Sequence, residues 1–182
     1  MSTINNNMPL ESALVVLIPE VESLVKSFRD QYDPSAALGI PAHVTILYPF
    51  KSPDELTNDV IETLHDLVSK RSCFNVIFKG VKAFPGTLYL FPVPASPFRQ
   101  LTELIVRRYP ETQPYGGEFK EIVPHLTVAH SSDARTLDEI ANQFCEVAQS
   151  ELPIRARVTN VSLIDNKDGY WKVQNQFSFG PE

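Results

Sequence analysis

Basic charge is the first thing this sequence has little of. Sixteen Lys and Arg stand against 22 Asp and Glu, which leaves a net charge of −6 at pH 7. Such a chain has no global field to attract long nucleic acid, so any phosphate it handles must be held by local donors. Cysteine is scarce too. Cys73 and Cys145 stand apart, without a Cys-x-x-Cys, which points to a reducing, cytoplasmic setting. There is no Walker A sequence, no Gly-x-Gly-x-x-Gly and no Gly-x-Ser-x-Gly elbow, so a nucleoside triphosphate fold, a dinucleotide fold and a serine hydrolase are all unsupported. Neither a zinc ligand set nor a carboxylate cluster for Mg²⁺ is evident, so no metal and no cofactor are expected. Ala13 to Ile18 is the strongest early apolar stretch and is far too short to span a bilayer, and residues 1–7 lack the basic start and apolar run of a signal peptide. No membrane association and no obligate protein partner are expected. What remains is a 182-residue chain, 43% apolar and 21% charged, enough for one core or for two small lobes that share one.

One phrase is written twice. Residues 43–46 read His-Val-Thr-Ile and residues 125–128 read His-Leu-Thr-Val, 82 positions apart. Each lies in an apolar, β-branched run that reads as a short buried strand. Side chains alternate along a strand, so His43 and Thr45 share one face, as do His125 and Thr127. A single histidine beside a threonine is usually a structural residue. With threonine at 10 of 182 positions, a given histidine opens such a phrase by chance roughly one time in a hundred. Two among four histidines is then an accident of about one in a thousand, and the pair reads as functional.

The chain in order gives alternating strands and helices. Ala13 to Ile18 is a strand, and Val21, Leu24, Val25, Phe28 and Tyr32 recur at helical spacing up to Asp33-Pro34. The first His-x-Thr strand follows and closes at Pro49. Ser52-Pro53 opens a helix with a stripe of Leu56, Val60, Ile61, Leu64, Leu67 and Val68. His65 lies beside that stripe and has no expected role. Phe74 to Phe84 is a strand, turned by Pro85-Gly86 into Thr87 to Pro92. Ser96-Pro97 then starts a helix, and a loop from Tyr109 to Glu121 leads to the second motif. Thr136-Leu-Asp-Glu139 resembles a capping box, with Ile140, Phe144 and Val147 on the core face of its helix. Arg155 to Ile164 and Tyr170 to Phe179 are strands joined by the turn residues Asn166 to Gly169. Each half thus runs strand, helix, His-x-Thr strand, helix, strand. We expect a single α+β domain over 1–182, with two pseudo-symmetric lobes, each a mainly antiparallel sheet with helices. Their His-x-Thr strands would face a central cleft.

Two histidines across a cleft are the parts needed for paired general acid and general base catalysis, since imidazole ordinarily titrates near ~6.5. In-line displacement at phosphorus suits them, with Thr45 and Thr127 holding the non-bridging oxygens. Tyr48, Phe50, Phe84, Tyr89 and Tyr115 are candidates to stack on a base. Of these, Tyr115 is favoured because Tyr115-Gly-Gly lies in the long loop before the second motif, while Phe84 and Tyr89 read rather as core.

The doubled motif resembles the 2H phosphoesterase superfamily. Three stretches look like its bacterial 2'-5' RNA ligase-like branch, namely 38–50 around the first motif, 84–90, and 124–129 around the second. The resemblance covers about Ala13 to Phe179. It implies a bilobal α+β fold and metal-free action on 2',3'-cyclic phosphates or 2'-5' phosphodiesters of RNA ends or nucleotides, with ligation as the reverse reaction. It makes His43 and His125 the acid–base pair, His125 as base and His43 as acid, and Thr45 and Thr127 the phosphate binders. The expected partner is a small nucleotide or an RNA end with a cyclic phosphate. One departure stands out: some ligating members carry arginine five residues after the second histidine, where this chain has His130, more in keeping with a strand-end residue than a third catalytic group. A non-catalytic nucleotide- or RNA-binding module on the same fold is the alternative.

Overall fold

The computed structural model describes residues 9–118 and 121–181. The first residues, read above as lacking a leader, and residues 119–120 of the loop before the second motif lie outside that range. Among the described residues eight strands form two four-stranded antiparallel sheets. The first has the order β2-β1-β7-β8, from β1 (Ser12–Leu17), β2 (His43–Leu47), β7 (Asn160–Asp165) and β8 (Lys172–Ser178). The second has the order β5-β4-β3-β6, from β3 (Phe74–Phe84), β4 (Thr87–Val93), β5 (Leu126–His130) and β6 (Ile154–Val158). The motif strand is an edge strand in both sheets, and β2 and β5 pack beside each other.

The lobes are not the two halves of the sequence. β3, from the first half, joins the second sheet, while β7, from the second half, joins the first. Helices cross over in the same way. α1 (Glu22–Tyr32) follows β1 but packs on β5 and on α5 (Ala134–Glu151), with Phe28 edge-on to Phe144 at 5.0 Å. α4 (Ser96–Arg108) follows β4 but packs on β2, whereas α3 (Asn58–Ser69) follows β2 and stays with that strand's sheet, against β8. One apolar core therefore runs behind both sheets, from Leu14, Val16 and Val44 to Leu88, Leu126 and Phe144. The burial of these side chains is what holds the two motif strands beside one another.

Four local readings of the sequence need correction. Ser52 and Glu55 do make a capping box, but it starts only a 3-10 turn over Pro53–Glu55. The helix proper begins at Asn58, because Thr57 Oγ1 accepts from the Val60 N–H as a second cap, and Leu56 stays outside the helix. The cap of α5 is Asp133, whose Oδ2 accepts from the Thr136 N–H at 2.9 Å, so Thr136 is already inside the helix. With that start, Leu137, Ile140, Phe144 and Ala148 form the buried stripe and Val147 is 48% exposed. Finally, Arg155 to Ile164 is two strands, since the chain leaves the second sheet at Val158 and enters the first at Asn160. A short helix, α2 (Pro34–Ala37), capped by Asp33, was not read from the sequence.

Candidate active site

Both motif strands carry the same irregularity. Along β2, His43 faces Leu17, Val44 faces Val16 and Thr45 faces Val15, but Leu47 faces Leu14, so Ile46 is an extra residue. Along β5, Leu126 faces Leu90 and Thr127 faces Tyr89, but Ala129 faces Leu88, so Val128 is extra. Each His-x-Thr-apolar phrase therefore ends in a one-residue β-bulge. The bulge at Ile46 is held from behind by a buried hydroxyl: Thr102 Oγ1, on α4, donates to the Ile46 carbonyl at 2.7 Å. Beyond each bulge the alternation is reset. Tyr48 and His130, which strict alternation would turn away from the motif histidines, come back to their face.

The two histidines are held alike. His43 Nδ1 lies 2.8 Å from the Pro41 carbonyl oxygen, and His125 Nδ1 lies 2.7 Å from the Val123 carbonyl oxygen. A carbonyl only accepts, so each neutral ring keeps its proton on Nδ1 and offers a bare Nε2 for chemistry. His125 precedes the first residue of β5, in the extended lead-in to the strand. Its ring meets the edges of Phe84 and Tyr89 at centroid distances of 5.2 and 5.6 Å. Tyr89, buried as its sequence reading expects, and the half-buried Phe84 wall the second histidine.

Burial lowers both histidine pKa values. His43 is pushed down to about 4, chiefly by desolvation, and the positive charges of Arg29 and His125 push the same way. The Pro41 carbonyl and Asp33 pull it back up in part. His125 is lowered, again chiefly by desolvation, with His130 adding to it and the Val123 carbonyl opposing. The two rings are thus close enough for the charge of His125 to be felt at His43.

Under His43 lies an ion pair that sequence reasoning missed. Arg29 is 2% exposed, and its Nε donates to Asp33 Oδ2 at 3.0 Å. Its Nη2 donates to the Ile40 carbonyl at 2.9 Å and to Ser35 Oγ at 3.2 Å. Arg29 thereby ties down the segment that presents Pro41 to His43. In the sequence an arginine four residues before an aspartate looks like a surface helix pair, and nothing there reveals that it is buried.

The remaining candidates separate into two groups. Tyr48 donates from its hydroxyl to Glu11 Oε2 at 2.7 Å, and burial together with that carboxylate pushes its pKa up to about 12. Its ring sits edge-on to Tyr115 at 6.4 Å and to Trp171 at 6.1 Å, over a small apolar cluster that includes Val15, Ile40 and Ile164. Tyr115 reaches across from the loop before β5: its N–H donates to the Tyr48 carbonyl at 2.6 Å, and its hydroxyl comes near the Thr45 side chain. It does so in a left-handed backbone conformation, φ 50°, that non-glycine residues rarely hold. Phe50, by contrast, is buried in the main core against Tyr109 and takes no part. His65 is exposed on α3, away from these groups. Trp171, the only tryptophan, was a signal that the sequence reading passed over.

Comparison with known proteins adds a family to this geometry. The model of the 2'-5' RNA ligase superfamily matches residues 18–169, which takes in both motifs. The chain belongs to that superfamily. Among curated relatives of this 2'-5' RNA ligase superfamily protein, a putative phosphoesterase of Bacillus pumilus (strain SAFR-032) is 27% identical over 172 residues, covering 92% of this chain and 97% of the relative. One from Bacillus cereus (strain G9842) is 28% identical over 176 residues, covering 91% and 95%. Among solved structures, TT0787 of Thermus thermophilus superposes with a TM-score of 0.62 at 18% identity, over 94% of this chain and 99% of that one. E. coli LigT complexed with 3'-AMP gives 0.61 at 14% identity, again over 94% and 99%. At those identities the likeness is one of fold, and it confirms the α+β architecture of two antiparallel sheets with helices for this superfamily member. Among its described residues no three His, Cys, Asp or Glu side chains are grouped to hold a metal ion, and no helix is long and apolar enough to cross a membrane.

Proposed function

We propose that this phosphoesterase-superfamily protein is a metal-independent cyclic phosphodiesterase. It would hydrolyse 2',3'-cyclic phosphates or 2'-5' phosphodiesters of nucleotides or RNA ends in the cytoplasm, with 2'-5' ligation as the reverse reaction. The observation that carries this reading is the matched pair of histidines, each locked through Nδ1 to a backbone carbonyl and each followed by a threonine on the same face. LigT has been solved with 3'-AMP, NADP+ and ATP, so nucleotide ligands suit this fold.

In the proposed reaction the phosphate lies between the two Nε2 atoms, with its non-bridging oxygens on the hydroxyls of Thr45 and Thr127. One histidine takes a proton from water as the water oxygen bonds to phosphorus. The P–O bond to the departing ribose oxygen breaks in line, and the other histidine protonates that oxygen. Each positioned proton transfer is worth roughly 10²- to 10⁴-fold. The lower pKa of His43, set by burial beside the Arg29 guanidinium, favours His43 as the base and leaves His125 as the acid. That is the opposite of the division implied by family resemblance. A phosphate anion in the site supplies the charge that lets His125 hold its proton.

Screening purified protein with 2',3'-cyclic AMP and 2'-5' ApA, with and without EDTA, tests the reading. Turnover unchanged by EDTA and abolished in His43→Asn and His125→Asn is expected. Tight nucleotide binding without turnover would favour a non-catalytic module, and loss of activity in EDTA restored by a divalent ion would overturn the acid–base mechanism.

A further inference from the structure

The carbonyl that fixes each motif histidine belongs to a peptide group, and the two peptide groups are held by different means. His43 leans on the Pro41 carbonyl. The same peptide group carries the Ala42 N–H, which donates to Glu22 Oε2 at 2.6 Å. A peptide group is planar, so fixing its N–H fixes the direction of its carbonyl. Glu22 stands 20 residues earlier, as the first residue of α1. An acidic residue in the first turn of a helix is ordinary, since it complements the helix dipole. This one reaches out of its helix to the backbone of a residue that is 1% exposed.

The neighbouring groups are tied as well. The Ile40 carbonyl accepts from Arg29 Nη2 at 2.9 Å, and the Ala42 carbonyl accepts from the Ile18 N–H at 2.9 Å. Between these ties, the Pro41–Ala42 group has Glu22 on its N–H and His43 on its carbonyl. In the second lobe His125 leans on the Val123 carbonyl, and the next residue is Pro124. Proline has no N–H to hold, and its ring fixes its own φ and restricts the residue before it. A covalent ring there does what a carboxylate does behind His43.

We propose that Glu22 is a positioning residue for His43: its carboxylate holds the Pro41–Ala42 peptide group so that the Pro41 carbonyl keeps the ring proton on Nδ1 and leaves Nε2 bare. The proposal rests on the phosphodiesterase reading, with His43 as base, and deepens it. A neutral ring with its proton on Nε2 has no lone pair there to take one from water, so a molecule in that tautomer is idle. The rival reading is that Glu22 only satisfies a buried N–H, which would show in stability and leave the ring unaltered. Other charges are near. Glu20, Lys26 and Arg157 line the same recess as Glu22, and Arg29, Asp33 and His125 act on His43. All of them are kept in the Glu22 variants, while Glu20→Gln removes one negative charge from the recess without touching the bond.

Kinetics on 2',3'-cyclic AMP and ring ¹⁵N NMR at pH 7 test this together. Glu22→Ala lowers kcat by about tenfold with KM within about twofold, comparable to losing a partner that orients a metal-bound histidine. The Nε2–H tautomer of His43 appears in its spectrum, while His125 stays Nδ1–H. Glu22→Gln keeps an acceptor for the Ala42 N–H and restores kcat to within about threefold of wild type. Glu20→Gln matches wild type in both readouts. Glu22→Met, similar in length and without a strong acceptor, takes the place of Glu22→Ala if the alanine variant misfolds. A variant with wild-type folding by circular dichroism and an unchanged His43 tautomer overturns the proposal, as does an equal tautomer change at both histidines. If His43 changes tautomer as expected but wild type turns over neither cyclic AMP nor 2'-5' ApA, Glu22 keeps its role and the phosphodiesterase reading fails.

Discussion

Tyr48 and His130 occupy the same place in the two lobes, each five residues beyond a motif histidine and each returned to the face of that histidine by a one-residue bulge. The pseudo-symmetry therefore extends past the four motif residues to the flanks, and it is there that the lobes diverge. Tyr48 offers a ring whose hydroxyl is already held by Glu11. Base stacking is worth roughly 1–3 kcal/mol. Tyr48→Ala should then raise KM for a nucleotide substrate by about tenfold or more with a smaller change in kcat, and Tyr48→Phe should raise it less. Equal kcat losses in both variants would assign Tyr48 to the chemistry and not to the base.

Tyr115 lies beside Thr45, which is proposed to hold a phosphate oxygen, so its ring flanks the place the substrate would take. Tyr115→Phe should leave the ring contact with Tyr48, keeping KM within about threefold of wild type. Tyr115→Ala loses the aromatic flank and should raise KM by about tenfold, in line with stacking energies. If Tyr115→Ala changes neither KM nor kcat on any active substrate, the aromatic flank does not bind a base.

The depressed histidine pKa values set the pH dependence. The base must be deprotonated and the acid protonated in the free enzyme, and both groups titrate below 6.5, His43 near 4. The profile of kcat/KM should be a bell with its maximum on the acid side of pH 6.5. An optimum above pH 7.5 on 2',3'-cyclic AMP would contradict the burial-driven shifts.

Stability follows from the same burial with a definite sign. His43 binds a proton more readily unfolded than folded, so stability falls as pH drops from 6.5 through about 4. At ~1.4 kcal/mol per pH unit the full effect is on the order of 3 kcal/mol. His43→Phe should flatten the decline of the thermal midpoint between pH 6.5 and 4, and an unaltered slope would show that other groups cause it. Arg29 tests the pair beneath. Arg29→Met leaves Asp33 buried without its cation and should cost about 3–5 kcal/mol. Arg29→Met with Asp33→Asn together should recover part of that loss, and the double variant should retain the lower kcat of a loosened Pro41 segment.

Much of the fold was legible because periodicity reports burial directly. The strand at β3 runs over Phe74–Phe84 as read, and the turn at Pro85-Gly86 falls where it was expected, with Gly86 at φ 84°. The doubled motif pointed to His43 and His125 for the same reason: polar side chains on one face of an apolar strand are conspicuous. What was hidden is non-local. No pattern distinguishes Arg155 to Ile164 as two strands in two sheets, since the break at Thr159 costs nothing in hydropathy. The bulges at Ile46 and Val128 are apolar residues within apolar runs, so alternation alone turns Tyr48 and His130 away from the site. The burial of Arg29 depends on a carbonyl eleven residues on, which only the folded chain brings near. Phe50 and Tyr48 looked equivalent in sequence, yet one is in the main core and the other packs on a smaller apolar cluster.

The two-histidine mechanism is tested most directly by changing the leaving group. An aryl phosphodiester departs as a stable phenolate and scarcely needs an acid, while its hydrolysis still needs a base. On such a substrate His125→Ala should keep kcat/KM within about tenfold of wild type, and His43→Ala should lose roughly 10²- to 10⁴-fold. On 2'-5' ApA both variants should be inactive. Rescue of His43→Ala in place of His125→Ala would reverse the proposed roles, and rescue of neither would contradict acid–base catalysis by this pair.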